Sequence, residues 1–210
     1  DYFAEKGYRL TDVTINRTIS NLNNTVDLDI NVDRGPQVEI GEIVIEGNEN
    51  ISDRRIQRSL KETNEDRWWR FWSRSRFDEQ KFQADLQNVI NYYNQRGYYD
   101  ARIVSDTAYV VNEGEDPEMV VELSVHEGPQ YHVRNIEWEG NTVLSDEALT
   151  VALGFETGDL YNKTQLEQNL FANRNSSDVA SLYMNQGYMR FNVEPAVRIV
   201  EGDSIDIHFE

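Results

Sequence analysis

The most unusual chemistry in the chain is a short segment that combines tryptophan with arginine. Three of the four tryptophans fall within five residues, and the segment reads Arg67, Trp68, Trp69, Arg70, Phe71, Trp72. Tryptophan and arginine dominate protein interfaces, and tryptophan also favours the membrane–water boundary. The segment therefore predicts a docking loop for a partner or for the membrane interface. The competing interpretation is that the rings fold back and cap a core, because large aromatic side chains are mostly buried.

Side chains that could catalyse a reaction are sparse and scattered. The chain has no cysteine, which excludes disulfides, thiol nucleophiles and cysteine–zinc sites. His126, His132 and His208 have no neighbours at metal-ligand spacing, so we interpret them as surface or junction residues. The many carboxylates single out no acid–base pair, and no nucleotide-binding or Ser–His–Asp signature occurs. We expect no cofactor and no enzymatic activity.

Composition restricts the possible partners. The formal net charge is −18 over 210 residues, which argues against nucleic-acid binding because contacts to phosphate need a basic surface. Hydrophobic residues make up 39% of the chain and charged residues 28%, a balance typical of folded modules rather than of disorder.

Three repeated signatures set the organisation of the chain. Gly-Tyr begins at residues 7, 97 and 187, Gly-Pro-Gln at 35 and 128, and Glu-Gly-Asn at 46 and 139. The last two pairs are offset by 93 residues, so the chain is predicted to be a series of similar small modules. We place the back part of one module at 1–36 and complete modules at 37–129 and 130–210.

The complete modules predict an α+β fold in the order strand, helix, helix, strand, strand. In 37–129, a β-branched strand ends at Gly47, and Ser52 begins a short helix. The second helix has an apolar stripe that ends at Gly97. Period-two alternation marks the last strand, with Met119, Val121, Leu123 and Val125. In 130–210, Ser145 and Asn162 are predicted helix caps, and about six extra residues near 173–178 interrupt the second helix.

These residues resemble the POTRA modules that precede the β-barrel of BamA-type outer-membrane assembly factors. The features that carry the resemblance are the strand ending in Glu-Gly-Asn, the two helices, the Gly-Tyr turn and the closing strand before Gly-Pro. The resemblance covers the whole chain. It implies the end of a second POTRA followed by the third and fourth, each with a three-stranded mixed sheet and two helices on one face.

The resemblance also implies a function. Such arrays form a periplasmic scaffold in Gram-negative-type bacteria. They receive unfolded outer-membrane proteins, dock accessory lipoproteins and lead into a C-terminal β-barrel of the same protein. A related secretion or autotransporter-assembly receptor is the alternative. A periplasmic enzyme, the third possibility, would need a polar pocket for which the sequence offers no motif.

In this fold the second-to-last strand of each module lies at a sheet edge, where an incoming strand can add. The expected edges are about 101–110 and 190–197, with Pro195 limiting the second. The residues assigned to client strands are Ala101, Arg102, Ile103, Val104, Arg190, Phe191, Asn192 and Val193.

Glycine and proline are expected to shape the turns and junctions. Gly97 and Gly187 are predicted to serve backbone turning. Gly35-Pro36 and Gly128-Pro129 are predicted to form stiff junctions between modules, with a flexible junction as the competing interpretation.

Overall fold

The structure, a computed structural model, describes residues 2–5, 7–20, 25–60, 79–111, 117–171 and 175–210. The chain forms two compact units. The first comprises Asp1–Asn88 and Ile103–Val125, and the second comprises Val89–Arg102 and His126–Glu210. The boundary between the units therefore passes through the long helix of the middle repeat.

The first unit contains a hairpin and a three-stranded sheet. The hairpin pairs β1 (Asp12–Ser20) with β2 (Thr25–Asp33) in an antiparallel register from Asp12↔Asp33 to Ser20↔Thr25, after the short helix α1 (Tyr2–Glu5). The sheet has the order β3-β5-β4. Its members are β3 (Glu39–Glu46), β4 (Arg102–Val111) and β5 (Glu118–His126), with α2 (Asp53–Gln57) and α3 (Glu79–Asn94) between β3 and β4 in the chain.

The second unit contains the other three-stranded sheet, with the order β6-β8-β7. β8 pairs in parallel with β6 and antiparallel with β7, so the sheet is mixed as expected. The elements in chain order are β6 (His132–Trp138), α4 (Asp146–Leu153), α5 (Lys163–Phe171), α6 (Val179–Asn185), β7 (Pro195–Ile199) and β8 (Ser204–Phe209). The predicted interruption of the second helix is confirmed, because α5 and α6 stand where one helix occurs in the middle repeat.

Side-chain caps begin two of the helices in the last repeat. The Ser145 hydroxyl accepts a hydrogen bond from the Ala148 N–H at 3.3 Å, and Asn162 Oδ1 accepts one from the Gln165 N–H at 3.0 Å, so both predicted caps are confirmed. Ser52 occupies the N-cap position of α2 but makes no capping hydrogen bond with its side chain. At that helix the Asn48 amide donates to Asp53 Oδ1 at 2.6 Å.

The hydrophobic patterns produce one dense core in the second unit. Its buried members include Leu149, Leu166, Tyr183, Ile205 and Phe209. In β5 every second residue from Met119 to Val125 is at most 3% exposed, which confirms the predicted alternation. β2 has the same alternation, but its apolar residues Val26, Leu28, Ile30 and Val32 are 39–60% exposed.

Candidate strand-binding edges

β4 forms one outer edge of the first unit's sheet. The order β3-β5-β4 leaves the far side of β4 without a partner among the described strands. The strand is ten residues long and contains neither proline nor lysine, the residues that usually block an edge against further pairing. Its only charged residues are Arg102 and Asp106, and Val104 is 60% exposed. The described strand therefore has neither of these two blocking residues along its outer edge.

Two side-chain contacts hold β4 in place and leave its edge open. The Tyr109 hydroxyl donates to Glu122 Oε1 on the neighbouring strand β5 at 2.7 Å. This hydrogen bond is the main reason that the pKa of Tyr109 is raised. From α3, the Gln83 amide donates to Asp106 Oδ2 at 3.5 Å. No local pattern in the sequence marks Gln83 or Glu122 as supports of the edge.

The predicted edge residues of the middle repeat lie close to their expected positions. Arg102, Ile103 and Val104 are the first three residues of β4, and Arg102 and Val104 are exposed. Ala101 precedes the strand and is only 7% exposed, so its side chain belongs to the packing rather than to the edge.

The prediction for the last repeat was wrong in its position. Arg190, Phe191, Asn192 and Val193 precede β7, which begins at Pro195. The alternation of Phe191 and Val193 reflects core packing rather than pairing. The Phe191 ring stacks on Tyr183 with centroids 4.3 Å apart, and Val193 is only 6% exposed.

β7 is itself an edge strand, because β8 is its one partner among the described strands. It has five residues and opens with Pro195, which has no backbone N–H to donate. An added strand would therefore find about half the length that β4 offers.

The same backbone hydrogen bond occurs twice between a Gly-Tyr turn and the residue that follows a Gly-Pro-Gln segment. The Val38 N–H donates to the Gly7 carbonyl at 2.9 Å, and the Tyr131 N–H donates to the Gly97 carbonyl at 2.8 Å. Gly97 has a φ of +85°, and a Cβ there would lie 3.3 Å from the backbone carbonyl oxygen of Tyr131. Gly97 therefore serves backbone turning, as predicted. Gly187 adopts a similar φ of +93°.

The glycines of the two Gly-Pro sites are also in the left-handed region. Gly35 has a φ of +64° and Gly128 a φ of +68°. A Cβ at Gly35 would lie 2.9 Å from the Leu10 oxygen, and one at Gly128 would lie 3.0 Å from Asp100 Cβ. Both positions combine a close approach with a conformation that favours glycine.

The second unit adds side-chain contacts to this arrangement. The Tyr131 hydroxyl donates to Asp100 Oδ2 at 2.5 Å. This bond and burial raise the pKa of Tyr131 to about 12. The Tyr99 ring contacts Tyr131 and Tyr161 edge to face, with centroids 6.4 and 5.3 Å apart. The Gln130 amide donates to the Arg96 carbonyl at 2.9 Å.

The remaining sequence candidates do not converge on a reactive centre. The predicted docking loop, Arg67–Trp72, lies outside the described residues. His132 lies near Asp203, and His208 lies near Glu137 and Glu139. No group of three or more metal-ligating side chains occurs within the described ranges. In the same ranges, no helix is long and apolar enough to span a membrane.

Similarity to known proteins agrees with this arrangement of repeated α+β modules. A sequence model of the POTRA family, described as a surface antigen variable number repeat, matches residues 38–128 and 131–210. The chain is 33% identical over 144 residues to the outer membrane protein assembly factor BamA of Neisseria meningitidis, covering 68% of this chain and 18% of that protein. It is 24% identical over 167 residues to BamA of Buchnera aphidicola, covering 80% of this chain and 27% of that protein.

Solved structures share the fold. The crystal structure of Haemophilus influenzae BamA POTRA3-5 matches with a TM-score of 0.57 at 18% identity, covering all of this chain and 75% of that one. BamA from Haemophilus ducreyi lacking POTRA domains 1-3 matches with a TM-score of 0.58 at 18% identity, covering 81% of this chain and 28% of that one.

The two segments matched by the family model make up well over half of the chain. The chain belongs to the POTRA family, and its modules are of the BamA type. It spans only 18% and 27% of the two BamA proteins that it matches in sequence.

Proposed function

We propose that this chain is part of the periplasmic scaffold of an outer-membrane β-barrel assembly factor, and that it receives unfolded outer-membrane proteins by strand addition along β4. The observation that carries this proposal is the ten-residue outer edge of β4, which contains no proline and no lysine. The similarity to BamA supports it, because a protein that assembles β-barrels handles extended chains rich in strand-forming sequence.

Strand addition suits a receptor for many clients. Affinity comes mainly from main-chain hydrogen bonds, which depend on extended shape and not on a particular sequence. Side chains on alternate positions then add a preference. On β4 the exposed Val104 offers an apolar contact, while Arg102 and Asp106 offer one charge of each sign. Binding by this edge requires no catalytic group, and we propose that the chain is not an enzyme.

The proposed scaffold has two further partners. We assign accessory lipoproteins to the Arg67–Trp72 segment, on the basis of its sequence, because tryptophan and arginine are the residues most enriched at interface hot spots. Trp69→Ala and Trp72→Ala should then weaken binding of such a partner and leave the melting temperature unchanged. The other partner is the C-terminal β-barrel of the same protein, placed in the outer membrane.

Strand addition can be tested with a peptide from a transmembrane strand of an outer-membrane barrel. Titration of the isotopically labelled chain should shift the amides of residues 102–111 in NMR spectra. The matched control is the same peptide with methyl groups on all of its backbone nitrogens, which removes the donors of both edges and keeps its side chains. Equal binding of the two peptides, or no shifts in β4 at millimolar peptide, would overturn the proposal.

Two proline variants sharpen this test. Neighbouring residues of a strand direct their N–H groups to opposite sides, so Val104→Pro and Ser105→Pro remove donors from opposite edges. One variant should be destabilised because it loses a bond to β5. The other should remain stable and lose peptide binding at β4. Full binding by both folded variants would contradict strand addition at this position.

A further inference from the structure

The short helix α2 of the middle repeat presents three arginines on its exposed side. Arg54 and Arg55 lie within the helix, and Arg58 follows as its C-cap with a helical backbone conformation. At 3.6 residues per turn, the three side chains leave the helix within a sector of about 100°. Ile56, which is fully buried, lies about 150° from the middle of that sector. We call Arg54, Arg55 and Arg58 the α2 basic face.

The guanidinium groups of the α2 basic face have no acidic partner in the part of the chain that the structure describes. No ion pair or side-chain hydrogen bond joins any of them to a described residue. Asp53, the acidic residue of the same helix, instead accepts a hydrogen bond from the Asn48 amide at 2.6 Å. The N–H donors of the three arginines are therefore available to an acidic group of another molecule.

The last repeat shows that the module does not require these charges. The Glu-Gly-Asn offset of 93 residues places the counterparts of the α2 basic face in α4, at Glu147, Ala148 and Val151. These three residues are exposed as well. α4 has no basic residue in its last turn, so the fold does not need a cation there to offset the helix dipole. The three arginines are therefore a property of the middle repeat alone among the two complete modules.

The charge of the whole chain makes this cluster unusual. The chain has 20 basic and 38 acidic residues, yet three of the five residues from 54 to 58 are arginines and none is acidic. Arg54 and Arg58 stand four residues apart on the helix, a spacing at which like charges repel and destabilise it. An anion bound between the two side chains removes that repulsion. The bound state therefore gains more than the attraction of a single ion pair.

The chemistry of the α2 basic face favours an acidic polypeptide over an anionic lipid surface. A lipid surface extends beyond α2 and repels the rest of a chain whose net charge is −18. An acidic segment of a protein touches α2 alone, because exposed charges more than about 8–10 Å away are largely screened at physiological ionic strength. All three cations are arginines, whose planar guanidinium groups bind carboxylates through two parallel hydrogen bonds.

We propose that the α2 basic face binds an acidic segment of a partner protein. Arg54 and Arg58 lie about 6 Å apart along the helix axis. In an extended segment, the side chains on one face repeat every two residues, about 6.5 Å apart. Carboxylates at alternate positions of the segment therefore match Arg54 and Arg58, and Arg55 binds a further one. This site does not depend on strand addition at β4, because it uses the side chains of a helix and no strand edge.

The direct probe is a fluorescent peptide of sequence Glu-Ser-Glu-Ser-Glu-Ser-Glu, with glutamine in place of glutamate as its matched control. Fluorescence anisotropy should show that the chain binds the acidic peptide and not the control. Arg54→Gln or Arg58→Gln should weaken binding about 2- to 5-fold, the range for one exposed ion pair. Arg17→Gln, at an exposed strand residue, removes the same charge and should leave the affinity unchanged. Equal losses at Arg17 and Arg58, or no binding at millimolar peptide, would overturn the proposal.

The last repeat allows the site to be moved. A chain with all three arginines of α2 replaced by glutamine should lose peptide binding and keep its melting temperature, because the side chains are exposed. Binding should return when α4 of that chain receives three further substitutions, Glu147→Arg, Ala148→Arg and Val151→Arg. No recovery would contradict the claim that the spacing of the three guanidinium groups is enough to bind the peptide.

Vesicles test the competing occupant. Vesicles of one part phosphatidylglycerol to two parts phosphatidylcholine should bind neither the unmodified chain nor the chain with glutamine at the three α2 positions, at physiological ionic strength. Vesicle binding that disappears with the three arginines, together with absent peptide binding, would assign the α2 basic face to a membrane surface and overturn the proposal.

Discussion

The middle and last repeats follow the same order of elements but expose different groups. The middle repeat has a ten-residue edge strand and a covered tyrosine pair. The last repeat has a five-residue edge strand that begins with proline, and in its tyrosine pair Tyr183 is buried while Tyr188 is 50% exposed. The Gly-Tyr and Glu-Gly-Asn signatures therefore define the module. The length of the edge strand is the difference on which the proposed binding at β4 depends.

The largest expected effect comes from the glycines of the two Glu-Gly-Asn sites. Gly47 and Gly140 have φ values of +81° and +79°, so alanine carries the same backbone strain at both, about 1–2 kcal/mol. At Gly47 the new Cβ also overlaps the Val125 carbonyl oxygen. We expect Gly47→Ala to lower the free energy of unfolding by more than ~3 kcal/mol and Gly140→Ala by ~1–2 kcal/mol. Urea denaturation measures the free energy of unfolding of both variants. Equal losses would mean that the Cβ at position 47 meets no more resistance than the Cβ at position 140.

The tyrosine pair gives the next largest effect. Tyr93→Phe removes a hydrogen bond between two buried groups and leaves the Glu127 carboxylate with one donor fewer. We expect a loss of ~1.5–3 kcal/mol in the free energy of unfolding. Tyr183→Phe should cost less than ~0.5 kcal/mol, because its hydroxyl has no hydrogen-bond partner among the described residues. A loss at Tyr183 as large as that at Tyr93 would contradict this difference between the two tyrosine hydroxyls.

A third comparison concerns Tyr131, whose counterpart in the middle repeat is Val38. Tyr131→Phe removes the hydrogen bond to Asp100 and should cost ~1–2 kcal/mol near neutral pH. Because the folded pKa is raised to about 12, the bond's contribution is fully present below the ordinary tyrosine pKa of about 10. It is lost as the pH rises from about 10 to about 12. The free energies of unfolding of the unmodified chain and of Tyr131→Phe, measured by denaturation between pH 8 and pH 12, should converge as the pH rises. A difference that stays constant with pH would mean that the hydrogen bond to Asp100 is not its cause.

The smallest effect on stability is expected from an ion pair that the last repeat has and the middle repeat lacks. Arg134 donates two hydrogen bonds to Asp206, at 2.8 and 2.5 Å, where the middle repeat has Gly41 and Val120. The pair lowers the pKa of Asp206, chiefly through these hydrogen bonds. Its contribution is therefore present above the ordinary aspartate pKa of about 4 and is lost as the pH falls through the lower folded value. Arg134→Gln should lower the melting temperature slightly at pH 6, and the difference should shrink as the pH falls below the ordinary aspartate pKa of about 4. A difference that does not change with pH would indicate lost packing.

Much of the module could be predicted from the sequence because the decisive signals are local. Ser145 and Asn162 cap helices from their own side chains, Gly97 adopts the left-handed conformation, and the alternation ending at Val125 marks a half-buried strand. Each depends on neighbours within a few residues. These are the interactions that propensity and periodicity describe.

The functional edges were harder to predict because they depend on distant packing. Phe191 and Val193 alternate like a strand, but they pack into the core, and the strand begins at Pro195. The alternation in β2 identified a strand and an apolar face, yet that face is exposed in the described structure. A period-two pattern predicts which face of a strand is apolar, but it does not predict what packs against that face. The hydrogen bond of Tyr109 to β5 and that of Gln83 to β4 could not be predicted from the local sequence.

We propose that β4, rather than β7, accepts the strand of a client. Residue-resolved amide exchange, measured with and without a saturating barrel-strand peptide, distinguishes the two strands. Alternate amides within Arg102–Val111 should become protected, because every second N–H faces the open edge. The amides of Pro195–Ile199 should exchange as before. Protection in β7 with unchanged exchange throughout β4 would show that β4 does not accept the strand.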